Sequence, residues 1–205
     1  MDAAHWDEAY GRLGATGVSW FRAAERASLD LIGAMPAPPR SVIDVGGGAS
    51  ALAASLRTSG VPRVSVLDIS AEALRMARDE AGDAGPAIEW ITADIRRWAP
   101  AATWDLWHDR AVFHFMVTED DRVAYRRALA AAVPPGGHVI AAAFAPDGPG
   151  QCSGLPVHRY GPDELVPALG CDLTLVTARA EVHVTPSGNH QPFTWVLAMR
   201  LPSTP

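Results

Sequence analysis

The period of the apolar positions changes along the chain, and each change marks an element. From Ala3 to Leu13 and from Ser19 to Ile32 apolar residues recur at helical spacing. In the second segment Trp20, Ala23, Ala24, Ala27 and Leu31 share a face, Ser19 stands at the N-cap and Gly33 follows the end. Met35-Pro36-Ala37-Pro38-Pro39 then stops the helix, because proline has no amide donor and clashes with the preceding turn. Beyond it short apolar runs alternate with helical patterns, the signature of a parallel sheet covered by helices. Strands are expected at Ser41–Val45, Arg63–Asp68, Ala87–Thr92, Asp105–Asp109 and His138–Phe144. Helices are expected between them at Ala49–Ser59, at Ala71–Ala81 after the cap Ser70, and at Glu119–Val133. The last is opened by Thr118 with Asp121 in capping-box position.

The tail departs from this repeat. The Gly- and Pro-rich stretch Ala145–Pro156 reads as a loop, with Asp147–Pro156 suited to a lid, and a short helix is expected at Asp163–Leu169. Leu173–Thr185 and Pro192–Leu201 then form two extended runs around a Pro/Ser/Gly/Asn turn. Phe193, Trp195, Leu197, Met199 and Leu201 alternate with Thr194, Val196, Ala198 and Arg200, a period of two. The pattern therefore predicts an α/β fold whose mostly parallel sheet finishes with an antiparallel edge.

Composition narrows what such a fold does. A chain of 205 residues, 48% hydrophobic and 20% charged, is expected to fold as one domain, residues 1–205. It divides into an N-terminal helical cap at 1–35, a core at 40–145 and a C-terminal part at 146–205. A net charge of −6 argues against nucleic-acid partners, which call for a basic stripe. All 17 basic residues are Arg, which excludes lysine Schiff-base chemistry and a P-loop lysine. Cys152 and Cys171 have no spacing that would hold a metal, and no metal is expected. The N-terminus lacks a basic and apolar leader, and no run approaches the ~20 apolar residues of a membrane span. A cytoplasmic protein is expected, monomeric or homodimeric, without membrane or nucleic-acid partners.

Candidate chemistry sits at the strand ends. The first strand runs through Asp44 into Gly46-Gly47-Gly48-Ala49-Ser50-Ala51, and an acid follows at Asp68, at the tip of the second strand. A glycine turn of this kind cradles a pyrophosphate at a helix start or lies against an uncharged nucleoside. Asp44, two positions before the glycines, would oppose a pyrophosphate and suit an ammonium group. After the third strand Asp94 can accept from an exocyclic amine while Ile95 packs on the ring face. Asp68 can hold two ribose hydroxyls. Three acids at successive strand ends thus describe the amine, sugar and base of S-adenosylmethionine.

With these motifs the chain, from about Trp6 to Arg200, resembles the class I S-adenosylmethionine-dependent methyltransferases. The resemblance implies a Rossmann-like, seven-stranded sheet with the last strand inserted antiparallel and helices on both faces. It implies S-adenosyl-L-methionine as cofactor and S-adenosyl-L-homocysteine as product. Asp44, Gly46 and Gly48 match the first motif, Asp68 and Ile69 the ribose and adenine contacts, and Asp94 and Ile95 the adenine motif. His108-Asp109-Arg110-Ala111 matches the end of the fourth strand, whose backbone in the family usually holds the donor's amino group, so Asp109, Arg110 and Ala111 join the cofactor set. Ala49-Ser50-Ala51 replaces the more usual third glycine. Trp6-Asp7-x-x-Tyr10 and Val18-Ser19-Trp20-Phe21 look like the N-terminal cap of the thiopurine, thiol and trans-aconitate enzymes, in which a helical cap covers the donor. Trp20 could then lie over the methionine end; a core role competes evenly for Trp20 and is preferred for Trp6.

Methyl transfer is a linear displacement that needs alignment above all, and a base helps some acceptors. His114 after the fourth strand, and His158 with Tyr160 after the fifth, are the catalytic candidates; the competing readings are a core histidine for His114 and an exposed loop for His158. Cys152 could line the pocket, with no base beside it to make it a nucleophile. A small-molecule acceptor is favoured, because no Asn/Asp-Pro-Pro-Tyr run follows the fourth strand. A protein lysine methyltransferase of the same fold is the alternative, followed by a nicotinamide-dependent oxidoreductase and a non-catalytic cofactor-binding module.

Overall fold

The computed structural model describes residues 2–18, 26–170 and 172–202. Two helices open the chain: α1 (Ala3–Gly17), broken at Gly14 with φ 66°, and α2 (Arg26–Gly33). The alternating core follows as β1 (Ser41–Val45), α3 (Leu52–Thr58), β2 (Arg63–Asp68), α4 (Ala71–Glu80), β3 (Ile88–Thr92), β4 (Leu106–Arg110), α5 (Glu119–Ala132) and β5 (His138–Phe144). Then come two-residue strands β6 (Gln151–Cys152) and β7 (Leu155–Pro156), α6 (Pro162–Leu169), β8 (Leu173–Val184) and β9 (His190–Arg200).

Seven strands form one sheet in the order β3-β2-β1-β4-β5-β9-β8, and β9 runs antiparallel to both β5 and β8. The first five are parallel neighbours. The order reverses between β1 and β4, the switch point where open α/β sheets leave a crevice beyond their strand ends. Burial on both faces explains why the central strands read as continuous apolar runs. Ile43, Trp107, Val139 and Val196 face one core with Tyr125 and Leu129 of α5, while Val42, Leu106, Ile140 and Trp195 face the other with Leu52 and Leu56 of α3.

Among the described residues the expected elements are present and the differences are local; the first part of the helix expected at Ser19–Ile32, with its cap Ser19, lies outside the described residues, which show its end as α2. The third helix begins at Leu52 and not at Ala49, because Gly46 and Gly48 take positive φ and the Ser50 hydroxyl accepts the Leu52 amide at 3.0 Å. The stretch read as a loop at Ala145–Pro156 contains the β6–β7 hairpin. Ser153 (φ 51°) and Gly154 (φ 75°) make its two-residue turn, the positive-φ pair that matches strand twist.

Candidate active site

The turn after β1 brings backbone to the switch point, and its three glycines leave no room for side chains. A Cβ on Gly46, whose φ is 65°, would lie 1.9 Å from Val112 Cγ2. One on Gly47 would meet Val66 Cγ1 at 2.6 Å and Asp44 Oδ2 at 2.7 Å, and one on Gly48 the Tyr10 hydroxyl at 2.4 Å. Asp68, at the end of the neighbouring β2, fixes the turn: its Oδ2 accepts the Gly48 amide at 2.9 Å and its Oδ1 the Ser70 amide at 2.8 Å. Burial, opposed by those amides and reinforced by nearby Asp44, pushes the Asp68 carboxyl up to about 6.

α1 closes the site from above. Asp7 accepts from the Ser70 hydroxyl at 2.6 Å and the Glu72 amide at 3.2 Å, which ties α1 to the start of α4. Ser70 Oγ in turn accepts the Ala73 amide and so caps α4. Trp6 and Tyr10, one helical turn apart, project into the cleft, and Trp6 meets Phe115 edge-to-face at 5.3 Å.

Beyond β4 the chain turns sharply. Asp109 is fully buried: Oδ1 accepts the Val112 amide at 2.8 Å, Oδ2 the Phe113 amide at 3.0 Å, and the Tyr125 hydroxyl donates to it as well. Burial pushes this carboxyl up to about 6 against those bonds. The turn sets Ala111 at φ 73°, rare for a residue with a Cβ, and presents Arg110, Ala111 and Val112 to the cleft.

Together these elements line an open cleft whose empty space, solvent at its mouth included, is about 700 Å³. Among the expected cofactor residues, Gly46, Asp68, Ile69, Asp94, Ile95, Arg110 and Ala111 line it, and Gly48 sits directly behind Asp68. Two others do not line it. Asp109 is turned into the core to hold the β4 turn. Asp44 is buried beneath the glycines, where its Oδ1 lies 2.7 Å from His108 Nδ1, and His108 Nε2 lies 2.9 Å from Ser28 Oγ. Trp20 lies outside the described residues. Asp94 is gripped by Arg96, whose Nη2 is 2.7 Å from Oδ2. Burial alone would raise its carboxyl, but the Arg96 guanidinium and amide outweigh that and hold it below the usual range.

The expected catalytic residues are not brought to the cleft. His114 is wholly buried between Phe115 and Phe144, with ring centroids at 4.5 and 4.8 Å. Neither ring nitrogen has a hydrogen-bond partner, and burial pushes it down to about 3, so the imidazole is neutral. The His158 side chain is exposed while its amide donates to the His114 carbonyl at 2.7 Å. Tyr160 is buried, stacked on Phe113 at 5.4 Å. Strand topology put all three beyond the sheet's carboxyl edge, and packing turned them from the cleft. The wall there consists instead of Val112, Phe115 and Cys152, whose buried thiol is pushed up to about 12. Trp6 and Tyr10 also belong to the wall, and their i, i+4 spacing was the readable signal.

Residues 42–137 match the family model described as a methyltransferase domain. A stretch of 93 residues is 39% identical to the trans-aconitate 2-methyltransferase of Azoarcus sp. (strain BH72), covering 44% of this chain and 35% of that protein. The matched part is thus about a third of the relative's length. Among solved structures, one reported for conversion of a disulfide bond into a thioacetal group during echinomycin biosynthesis superposes with a TM-score of 0.77 at 19% identity, over 98% of this chain and 94% of that one. The N-methyltransferase NodS from Bradyrhizobium japonicum WM9, solved with S-adenosyl-l-homocysteine, superposes with a TM-score of 0.71 at 16% identity, over 95% and 97% of the two chains. The 1,6-didemethyltoxoflavin-N1-methyltransferase of Burkholderia thailandensis, solved with its substrate and S-adenosylhomocysteine, gives 0.66 at 18% identity, over 98% and 84%. At these identities the likeness is one of fold.

Proposed function

We propose that this chain, a class I S-adenosylmethionine-dependent methyltransferase, moves the donor's methyl group to a small-molecule acceptor held in the cleft beneath α1. The observation that carries the reading is the convergence of Gly46, Asp68, Ile69, Asp94 and Ile95, from three strand ends, on one cleft at the switch point. The residues suit the donor. The glycine cradle admits a ligand against bare backbone, since any Cβ there meets Val112, Asp44 or Tyr10. Asp68 keeps lone pairs beyond its two amide bonds for ribose hydroxyls, and Ile69 and Ile95 offer apolar contact to a base. Asp94 would accept from the exocyclic amine while its oxygens face Arg96.

The bound donor supplies an electrophilic methyl on a sulfonium, with a neutral thioether as leaving group. The protein's part is alignment, which can supply roughly 7–11 kcal/mol in a displacement. No histidine lines the cleft among the described residues, and Cys152 is a neutral thiol at neutral pH. With Asp68 and Asp94 given to the donor, the reading is that the acceptor attacks with its own lone pair, or after losing its proton to water. Trp6, Phe115 and Cys152 give the acceptor side an apolar, aromatic wall, with Arg110 as the cation among the described lining residues.

Neighbours of this fold are described as acting on small molecules, including 1,6-didemethyltoxoflavin, which supports a small acceptor here. Labelled donor incubated with an extract and separated by size tests this. Label in the low-mass fraction is expected, and label in macromolecules alone would overturn it. Calorimetry with S-adenosylhomocysteine against NADH tests the donor: binding of the nicotinamide nucleotide alone would sink the reading.

A further inference from the structure

The sheet ends on β8, a strand of twelve residues whose one sheet neighbour among the described residues is β9. Such an edge offers unpaired amides and carbonyls, and stable proteins blunt it with lysine, proline or inward charge. β8 contains neither proline nor lysine, and its residues are mainly β-branched or small. On the face it shares with Ala178 and Ala180, Val182 and Val184 are each 54% exposed. Its one irregularity is the bulge at Val176, which leaves Thr177–Val184 as a regular run.

The charges on that run are self-complementary. Arg179 and Glu181 lie two positions apart on the same face, one on each side of Ala180. Glu181 is held in place by the Trp195 indole, which donates to its Oε2 at 2.8 Å, and Arg179 lies 3.4 Å from Asp30 of α2. Two copies of β8 laid antiparallel about a two-fold axis at Ala180 put Arg179 of each opposite Glu181 of the other. The same register sets Ala178 opposite Val182 and Thr177 opposite His183, and it ends where the bulge begins. Opposite charges thus face each other at 179 and 181 and apolar residues at 178, 180 and 182, with the polar Thr177–His183 pair at either end, and the arrangement is self-complementary as an isologous interface requires.

We propose that β8 is a homodimer interface, through which two copies of this chain join their sheets edge to edge about a two-fold axis at Ala180. The cleft opens at the carboxyl ends of β1–β4, away from this edge, so each copy keeps a complete site and donor binding is independent of assembly.

Sedimentation of the intact chain over a concentration series, with light scattering, should give twice the 21.7 kDa chain mass. Arg179→Glu, which sets like charges opposite each other, should weaken the dimer by roughly tenfold. Adding Glu181→Arg should restore it, because the reversed pair is again complementary. Those residues also bond within the chain, so Ala180→Asp, on an exposed small residue at the axis, is the second variant. It should give monomers with an unchanged melting temperature. Ala180→Cys under mild oxidation should crosslink to a covalent dimer, since directly opposite Cα atoms lie within disulfide reach. The unsubstituted chain and Thr177→Cys, whose opposite residue is His183, should not crosslink. A monomer at every concentration, or a dimer indifferent to Ala180→Asp, would overturn the proposal.

Discussion

The Ser70 hydroxyl donates to the Asp7 carboxylate at 2.6 Å, across 63 positions of sequence, and the same oxygen caps α4 by accepting the Ala73 amide. One side chain therefore both begins α4 and tethers the helix that carries Trp6 and Tyr10 over the cleft. Asp7→Ala should weaken S-adenosylhomocysteine binding by about tenfold, the loss of a charged hydrogen bond of ~1.5 kcal/mol, with a small drop in melting temperature. Titration calorimetry reads this directly. An affinity equal to that of the unaltered protein would show that α1 holds its place without the tether.

Asp68 links donor binding to pH. As an acceptor for ribose hydroxyls it works best ionised, and its carboxyl titrates at about 6 in the free protein. Affinity for S-adenosylhomocysteine should fall as pH drops below about 6. Asp68→Asn should cost about 1.5–3 kcal/mol at neutral pH and remove that part of the pH dependence. Stability carries the opposite sign. Asp68 and Asp109 are raised from 3.8 to about 6 on folding, so between those values the native state holds more protons than the unfolded one. Their contribution to the stability of the free protein is therefore greatest below pH ~4, declines as pH rises to ~6 and is flat above it. Urea unfolding at a series of pH values should show this decline reduced in Asp68→Asn.

Gly46 is required twice, for its φ of 65° and for the space taken by Val112. Gly46→Ala should lower stability by more than the ~1–2 kcal/mol that a left-handed backbone costs a residue with a Cβ. Val112→Ala, made in that background, should return the steric excess and leave the backbone cost. If denaturant midpoints show no recovery, the clash with Val112 is not its source.

His114 separates a catalytic from a packing role. Its two nitrogens lack partners in a fully buried site, an arrangement that costs about 1–3 kcal/mol per unsatisfied group. His114→Phe should leave methyl transfer within a few-fold of the unaltered rate and keep or raise the melting temperature. A loss of turnover by orders of magnitude with the donor still bound would restore it as a base.

Much of this was legible in sequence where a residue's job is fixed by its neighbours along the chain. The glycines after β1, Asp68 after β2, and Asp94-Ile95 after β3 reach the cleft because a strand end has few places to point. The Thr118 cap and the alternation of Phe193 to Met199 were legible for the same reason. The strand-end role expected of Asp109 concerns its backbone, and its carboxylate was not legible in the same way: the side it takes depends on the turn it caps, and that turn needs Tyr125, sixteen positions away. His114 was drawn into the core by Phe144, on the next strand, a contact that no local pattern encodes. Cys152 reached the wall through the Ser153-Gly154 turn, a hairpin signal hidden in a stretch rich in loop residues.

The buried chain Asp44–His108–Ser28 has a consequence for the order of assembly. Asp44 and His108 are direct partners in the β1–β4 register, and Ser28 brings α2 to the same imidazole from 80 positions away. Slipping β4 by one residue would swing His108 to the opposite face and leave the Asp44 carboxylate buried without its partner. The triad therefore acts as a register lock between the two halves of the sheet. It also makes the docking of α2 conditional on that lock, because the hydroxyl that reaches the imidazole is carried by α2.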